Sequence, residues 1–240
     1  MESKERRDEW VIVTGASRGI GREVVLDLVR SYPVSVLAVA RDRAALEDLQ
    51  QAIGPDTEGL RILAADLGTD AGVHEVIAVG RELPIRALVN NAGAFDRRTI
   101  GDWSRHGLEK LFHVNAFAPL LLAQGLRDRF LAAPMGHVLN IGSMGGFQGS
   151  AKFAGLLGYS SSKAALAGIS ECLAEELAPY GVACNCLALG AVDTEMLRAA
   201  FPDFTGGTSA EAMGAYIARF AMEGQQQYNG KVLPVSRSVP

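Results

Sequence analysis

The chain has 240 residues, 48% of them hydrophobic, and a formal net charge of −4. This length and apolar content suffice for one large domain with a sizeable core. Acidic and basic residues are interspersed, so no basic stripe is available for nucleic acid and no polybasic patch for a membrane surface.

Residues 1–9, MESKERRDE, are charged and lack the apolar core of a signal peptide, and no later apolar run is long enough to cross a bilayer. We therefore expect a charged tail at 1–9, a single domain over 10–240 and a cytoplasmic protein. The odd cysteine count fits a reducing compartment. Alternation around Cys184 and Cys186 indicates a buried strand rather than a metal site, and we expect no metal.

Short apolar runs alternate with helical patterns along the chain. The first half contains EWVIVTG, GREVVLDLVRSY, SVLAVA, RAALEDLQQAI, RILAAD, a helical stretch through Gly80, and RALVNNAG. The second half contains a helix around Leu108 to Arg129, HVLNIGS, a helix beginning near Tyr159, VACNCLAL and, after a turn at Asn229 and Gly230, KVLPVS. This rhythm predicts an α/β fold with a doubly wound parallel sheet of the Rossmann type in three layers.

The segment from Pro202 to Ala210, PDFTGGTSA, is rich in turn formers and small polar residues. It is compatible with a mobile flap over a ligand site or with an ordinary surface connection.

A glycine-rich segment, TGASRGIG from Thr14 to Gly21, follows the first strand and opens the first helix. Its glycines permit close backbone approach, and the helix N-terminus offers free N–H groups to a pyrophosphate. The spacing of Gly15, Gly19 and Gly21 differs from the general G-x-G-x-x-G fingerprint. Taken alone, the segment is compatible with a dinucleotide site or with a tight strand-to-helix connection.

Tyr159 and Lys163 lie four residues apart at the start of a predicted helix, so both side chains point from one face. An ammonium beside a phenol lowers the phenol pKa and makes the tyrosine a usable proton donor and acceptor near neutrality. Such a pair can also be an ordinary feature of a solvated helix surface.

With these motifs, the sequence resembles the short-chain dehydrogenase/reductase family, whose glycine loop is T-G-x-x-x-G-x-G. The similarity runs from Thr14 to about Thr194, with a looser match at YNGKVLPV. Further family landmarks stand in order: Asp66 and Leu67, the NNAG from Asn90 to Gly93, Asn115, Ser143, and the pair Tyr159 and Lys163.

The resemblance implies a nicotinamide cofactor, with Asp66 at the adenine ring and with Val192 and Thr194 at the carboxamide. The cofactor-binding residues that it implies are Gly15, Ser17, Arg18, Gly19, Ile20, Gly21, Arg41, Asp66, Leu67, Asn91, Ala92, Gly93, Tyr159, Lys163, Val192 and Thr194.

The end of the second predicted strand selects between the two nicotinamide cofactors. Arg41 falls where the family places its phosphate-reading residue, and Arg18 can reach the same phosphate, which favours NADP(H). If the strand were one residue longer, Asp42 could contact the ribose and NAD(H) would be preferred; a solvent-facing salt bridge is another role for Arg41.

The resemblance also assigns the chemistry of a carbonyl reduction. Tyr159 would donate the proton, Ser143 would hold the carbonyl oxygen, and Lys163 would lower the tyrosine pKa and bind the nicotinamide ribose. Asn115 would belong to a water-linked proton relay toward Lys163. We therefore predict NADPH-dependent reduction of a small ketone, aldehyde or dicarbonyl to an alcohol.

Two departures from the family pattern stand out. Ser143 and Tyr159 are 159 − 143 = 16 positions apart, a few more than the family leads us to expect, and the loop between them is rich in glycine. Leu189 precedes Gly190 where the family usually has proline, which reduces the expected rigidity of that loop.

Three alternatives remain from the sequence: a non-catalytic regulatory protein that binds a dinucleotide, an NAD-dependent alcohol dehydrogenase, and an epimerase or dehydratase, which the short C-terminal region disfavours.

A weak similarity to sepiapterin and benzil reductase-like members suggests a vicinal dicarbonyl substrate. The apolar helices at Phe112 to Leu126 and Ala164 to Leu177 could form the interface of a homodimer or homotetramer, or only cover the sheet.

Overall fold

The computed structural model describes residues 8–54, 59–130 and 135–237. Within these ranges there are nine strands: β1 (Trp10–Thr14), β2 (Ser35–Ala40), β3 (Leu60–Ala64), β4 (Ile85–Asn90), β5 (Gly136–Ser143), β6 (Val182–Leu189), β7 (Val192–Asp193), β8 (Thr208–Ser209) and β9 (Val232–Val235).

The same ranges contain eight α-helices: α1 (Gly19–Ser31), α2 (Arg43–Ile53), α3 (Asp70–Gly80), α4 (Arg105–Phe112), α5 (Ala118–Leu126), α6 (Leu157–Leu177), α7 (Glu195–Ala200) and α8 (Ala210–Glu223). A π-helical segment, His113–Phe117, joins α4 to α5.

Seven strands form one parallel sheet in the order β3-β2-β1-β4-β5-β6-β9, and β7 and β8 form a separate two-stranded ribbon. The chain runs outward from β1 to β3 and then returns to β4 on the other side of β1. A crevice therefore opens between the carboxyl ends of β1 and β4, where such sheets bind their ligands. The predicted doubly wound, Rossmann-type single domain is confirmed.

Both faces of the sheet are buried, which explains the nearly continuous apolar runs of its strands. In β1, Val11 and Val13 point to one face and Ile12 points to the other. The first face packs against α1, α2 and α8, and the second against α3, α5 and α6. This division gives the three predicted layers.

A buried polar cluster lies near the start of β5. His137 is fully buried, donates from Nδ1 to the carbonyl oxygen of Ala221 at 3.1 Å, and accepts at Nε2 from Asn185 at 3.1 Å. Asn185 also donates to the carbonyl oxygen of Tyr228. These bonds join β5 and β6 to the end of α8 and require a neutral imidazole.

Several element boundaries differ from the sequence-based expectation. The helix expected from Leu108 to Arg129 begins at Arg105 and is interrupted by the π-helical segment. Helix α8 is an addition that the sequence analysis did not identify, although Ser209 caps it and Met213, Ile217 and Phe220 are buried along it.

The expected tail at residues 1–9 is shorter than proposed, because Glu9 belongs to the fold. Its backbone carbonyl accepts a bond from Ser35 N–H, and its carboxylate lies 3.8 Å from the buried Arg86 guanidinium. Of the expected tail, residues 1–7 lie outside the described residues, and Asp8 is exposed. Within the described ranges, no helix combines the length and the apolar character that crossing a bilayer requires.

We expect His137 to make the fold sensitive to acid. Burial lowers the pKa of His137 to about 4, so between about pH 6.5 and pH 4 the unfolded chain binds a proton that the folded chain excludes. Stability should therefore fall as the pH falls through this window, by up to about 3 kcal/mol from this residue. Urea unfolding of wild type and His137→Gln at pH 7.5, 5.5 and 4.5 tests this. An equal pH slope in both proteins would contradict it.

We also expect the three free thiols to differ in reactivity. Cys172 is exposed, whereas Cys184 and Cys186 are buried on β6; burial raises the pKa of Cys186 to about 11 and that of Cys184 further. Because the thiolate is the reactive form, a disulfide reagent should modify one thiol per native chain and three after unfolding. Cys172→Ser should remove the native reaction. Rapid modification of two or more thiols in the native protein would contradict the buried placement.

Candidate active site

The glycine loop after β1 forms a tight cradle. Gly15 has φ 67° and Gly19 has φ 53°, backbone conformations that side chains disfavour. A Cβ on Gly21 would lie 2.2 Å from the carbonyl oxygen of Gly15, so only glycine allows α1 to start this close to the loop. Gly21 does not line the cleft, unlike the other predicted residues of this loop.

The N-terminus of α1 faces the cleft without a side-chain cap. Arg18, the residue before the helix, makes no capping hydrogen bond, and the first turn contains no acidic residue. The first N–H groups therefore remain available, together with the positive end of the helix dipole. These features fit a pyrophosphate, so the loop is suited to hold a dinucleotide.

Hydrogen bonds tie β1 to β4 beside this cradle. Asn91 Nδ2 donates to the carbonyl oxygens of Thr14 and Gly15 at 3.0 and 3.2 Å. The hydroxyl oxygen of Thr14 accepts from the N–H groups of Asn91 and Ala92 at 3.1 and 3.0 Å. The NNAG segment therefore fixes the floor of the crevice.

At the β3 end of the cleft, Asp66 and Leu67 both line its wall. The Asp66 carboxylate accepts a hydrogen bond from Gly68 N–H at 2.9 Å, which holds the turn into α3. Leu67 is buried beneath it.

The residues at the end of β2 have separate structural roles. The strand ends at Ala40, and the Asp42 carboxylate caps α2 by accepting from Ala45 N–H at 3.1 Å. Arg41 is exposed and lines the cleft, and within the described ranges we find no ion pair to its guanidinium. Arg18 instead pairs with Glu195 of α7 at 2.6 Å across the cleft mouth.

Tyr159 and Ser143 meet in the cleft at the carboxyl end of β5. Ser143 ends the strand, and its hydroxyl oxygen accepts from Gly145 N–H at 3.1 Å. Burial raises the pKa of Tyr159, and a hydrogen bond with Ser143 acts in the opposite direction. The phenol is therefore protonated throughout the neutral range.

Lys163 lies one turn further along α6, with 4% of its surface exposed. Its ammonium donates to the carbonyl oxygen of Ile141 at 2.7 Å, and burial lowers its pKa to about 8. The expectation that Lys163 lowers the pKa of Tyr159 stays a prediction. Desolvation of the phenol outweighs other influences on its pKa, and the lysine charge is directed to a backbone carbonyl.

Asn115 is fully buried in the π-helical segment and does not line the cleft. Its side-chain oxygen accepts from Ala94 N–H at 2.8 Å, and its Nδ2 donates to the Ala94 carbonyl and to Ser162, both at 2.9 Å. The side chain therefore ties the loop after β4 to α6, and the expected water-linked relay toward Lys163 stays a prediction.

Beyond β6, Val192 and Thr194 form the opposite wall of the cleft. The Thr194 hydroxyl caps α7 by accepting from Leu197 N–H at 3.2 Å. Leu189, which replaces the usual proline, is buried as the last residue of β6, and Gly190 N–H donates to the Val235 carbonyl at 2.9 Å. The sheet thus anchors this loop without the proline.

The loop between Ser143 and Tyr159 is held by its own side chains, although its glycine content predicts flexibility. Lys152 Nζ donates to the Phe147 carbonyl and the Ser150 hydroxyl, both at 2.7 Å, and Ser150 bonds to the Met144 carbonyl.

The segment from 202 to 210 does not line the cleft; β8 within it pairs with β7. This arrangement favours the ordinary surface connection over the flap.

The cleft has a volume of about 940 Å³ and joins the sites described above into one cavity. Sequence analysis missed a group of apolar residues that line its end near Tyr159: Phe95, Met144, Phe153, Leu156, Ala200 and Phe201. They lie on three separate parts of the chain, after β4, between β5 and α6, and at the end of α7, and no motif connects them.

Comparison with known proteins agrees with this geometry. The short chain dehydrogenase family model matches residues 9–204. An L-xylulose reductase of Caenorhabditis elegans is 32% identical over 195 residues, covering 80% of this chain and 74% of the relative. The 3-oxoacyl-acyl-carrier-protein reductase FabG of Salmonella typhimurium is 30% identical over 201 residues, covering 83% and 80%.

A solved structure of RhlG from Pseudomonas aeruginosa, in an active-site complex with NADP, superimposes with a TM-score of 0.83 at 28% identity, covering 95% of this chain and 94% of that one. The family match spans most of the chain, and both relatives named above are reductases. The chain therefore belongs to the short-chain dehydrogenase family and is an oxidoreductase of that family.

Proposed function

We propose that the protein is an NADPH-dependent reductase of a small carbonyl compound. The observation that carries this proposal is the placement of the Tyr159 phenol beside Ser143 in a cleft whose other end carries an uncapped helix N-terminus. Proton donor and dinucleotide cradle thus open into one cavity.

When bound, a nicotinamide dinucleotide supplies the hydride for the carbonyl carbon. Ser143 Oγ–H donates a hydrogen bond to the carbonyl oxygen and stabilises the charge that develops there. Tyr159 gives its proton to the same oxygen, which completes the alcohol. Lys163 would hydrogen-bond the ribose of the cofactor, and Asn115, through its bonds to Ala94, positions the loop that carries Gly93.

The protonation state of Tyr159 suits its proposed role. A phenol whose pKa is raised by burial remains protonated at neutral pH, so the form that donates a proton to a carbonyl oxygen predominates.

Two observations support NADP(H) over NAD(H). Asp42 caps α2 through Oδ1 and is not among the residues that line the cleft, which weakens the case for a carboxylate contact to a ribose 2′-hydroxyl. Arg41 lines the cleft with an exposed guanidinium that could bind a 2′-phosphate. The neighbouring structure of RhlG was determined with NADP.

A non-catalytic dinucleotide-binding regulator is the second candidate on this fold, because fold alone does not fix activity.

We also propose a cytoplasmic location, which the three free thiols suit, and assembly into a dimer or tetramer through α5 and α6. Phe117, 46% exposed beside α5, is consistent with such an interface.

Tyr159→Phe should retain cofactor binding and lose about 10²- to 10⁴-fold in turnover, because it removes only the proton donor. Loss of reduced-cofactor absorbance with a panel of ketones, diketones and sugars measures turnover, and calorimetry measures NADPH binding. Tyr180→Phe is the control, since Tyr180 is exposed and lies outside the cleft. A Tyr159→Phe protein within a factor of two of wild type would exclude the tyrosine as proton donor.

Arg41→Ala should raise the KM for NADPH by about 10- to 100-fold, because a charge-assisted hydrogen bond to phosphate contributes about 1.5–3 kcal/mol. The KM for NADH should change little. Arg43→Ala is the matched control: Arg43 lies two residues away, is exposed, and pairs with Glu47 at 2.9 Å. Equal changes in the two KM values for Arg41→Ala would refute selective phosphate recognition.

A further inference from the structure

The end of the cleft beside Tyr159 is an aromatic compartment. The Phe95 ring lies 5.4 Å from the Tyr159 ring at an angle of 68°. Phe153 and Phe201 also line the cleft, and their rings meet edge to face at 5.0 Å and 76°. Aromatic rings prefer this geometry, and a flat apolar group can add to it by presenting its face or edge.

The long loop between Ser143 and Tyr159 builds the outer wall of this compartment. It contributes Phe153, while Phe201 follows the end of α7. Arg98 N–H donates to the Gly155 carbonyl at 3.0 Å, which joins the loop after β4 to the long loop. The extra residues of the long loop therefore shape the substrate end of the cleft.

Arg97, which lies outside the compartment, contacts both the end of α7 and the long loop. Its guanidinium donates to the Ala200 carbonyl at 3.0 Å, and a Cβ on Gly155 would lie 3.0 Å from the Arg97 stem. Arg97 does not line the cleft. Its guanidinium therefore bonds to the backbone outside the cleft and does not contribute a positive charge to the cleft wall.

Several charged residues that line the cleft are paired with one another. Arg18 pairs with Glu195 at 2.6 Å, and Arg198, on α7 near the compartment, pairs with Asp193 at 3.0 Å. The Lys163 ammonium is bonded to the carbonyl oxygen of Ile141. Four further residues of α4 and the π-helical segment line the cleft, and the His113 imidazole lies 3.8 Å from Asp70: His106, Glu109, Lys110 and His113.

From this arrangement we infer the substrate class: an uncharged carbonyl compound whose carbonyl carbon carries an aryl group, with the ring seated between Phe95 and the Phe153–Phe201 pair. The inference rests on the proposed reductase function. A carboxylate or phosphate seated among these rings would lose its hydration to apolar surface, and the nearby Arg198 is already paired with Asp193, so the compartment selects against charged substrates.

Three compounds test the inference with NADPH: 1-phenyl-1,2-propanedione, 2,3-butanedione and phenylglyoxylate. The first carries the aryl group, the second replaces it with methyl, and the third keeps it but adds a carboxylate. We expect kcat/KM for the phenyl diketone to exceed the values for both others by about 100-fold, the scale on which a shaped apolar pocket discriminates. A value for 2,3-butanedione or phenylglyoxylate equal to that of the phenyl diketone would overturn the inference.

Substitutions separate pocket recognition from the intrinsic reactivity of each carbonyl. Phe153→Leu and Phe201→Leu keep an apolar side chain but lose the ring, and each should lower the phenyl-to-methyl ratio of kcat/KM by about 10-fold with KM for NADPH unchanged. Phe204→Leu is the matched control, because Phe204 lies three residues from Phe201 and does not line the cleft. An unchanged ratio in both test variants would contradict the assignment of these rings.

Binding measured without turnover distinguishes failure of this inference from failure of the proposed function. Calorimetry with acetophenone and 2-butanone, with and without NADP⁺, reports the compartment alone. Preferential binding of acetophenone without reduction of any compound would refute the reductase function and retain the aryl site. Reduction of 2,3-butanedione with equal binding of both ketones would retain the function and refute the aryl site.

Discussion

The hydrogen bonds between Thr14 and Asn91 are the constraint on which the site depends. They join β1 to β4 at the point where the chain reverses its direction across the sheet. Parallel strands place their carboxyl ends at one edge, but the reversal separates the helices that follow β1 and β4 and opens a crevice between them. Asn91 also reaches the carbonyl of Gly15, so the same side chain sets the position of the glycine loop.

Much of this architecture could be predicted from the sequence because it follows from periodic burial. The strands of the main sheet are apolar on both faces, and a parallel sheet covered by helices requires that pattern. The π-helical break at His113–Phe117 was not predictable in the same way. Asn115 within it bonds to Ala94, a contact between parts of the chain that are 21 residues apart and that a local sequence pattern does not report.

The identity of the residues at the site could be predicted from local motifs, but the pKa values of their side chains could not, because these depend on burial. Ser143, Tyr159 and Lys163 come together because β5 ends where α6 begins its first turns. The balance of pKa values around them depends on how many protein atoms surround each group, which spacing in the sequence does not report. The aromatic residues Phe95, Phe153 and Phe201 could not be predicted in this way, because they line one cleft only after separate parts of the chain converge.

The ion pair between Arg18 and Glu195 bridges the glycine loop and α7 across the entrance of the crevice. Both side chains are largely solvated, 72% and 69% exposed, so the pair contributes only about 0–1 kcal/mol. Breaking this ion pair consequently requires little free energy. The Arg18 guanidinium is therefore readily released to an anion that binds at the glycine loop, and Glu195 competes for it only weakly.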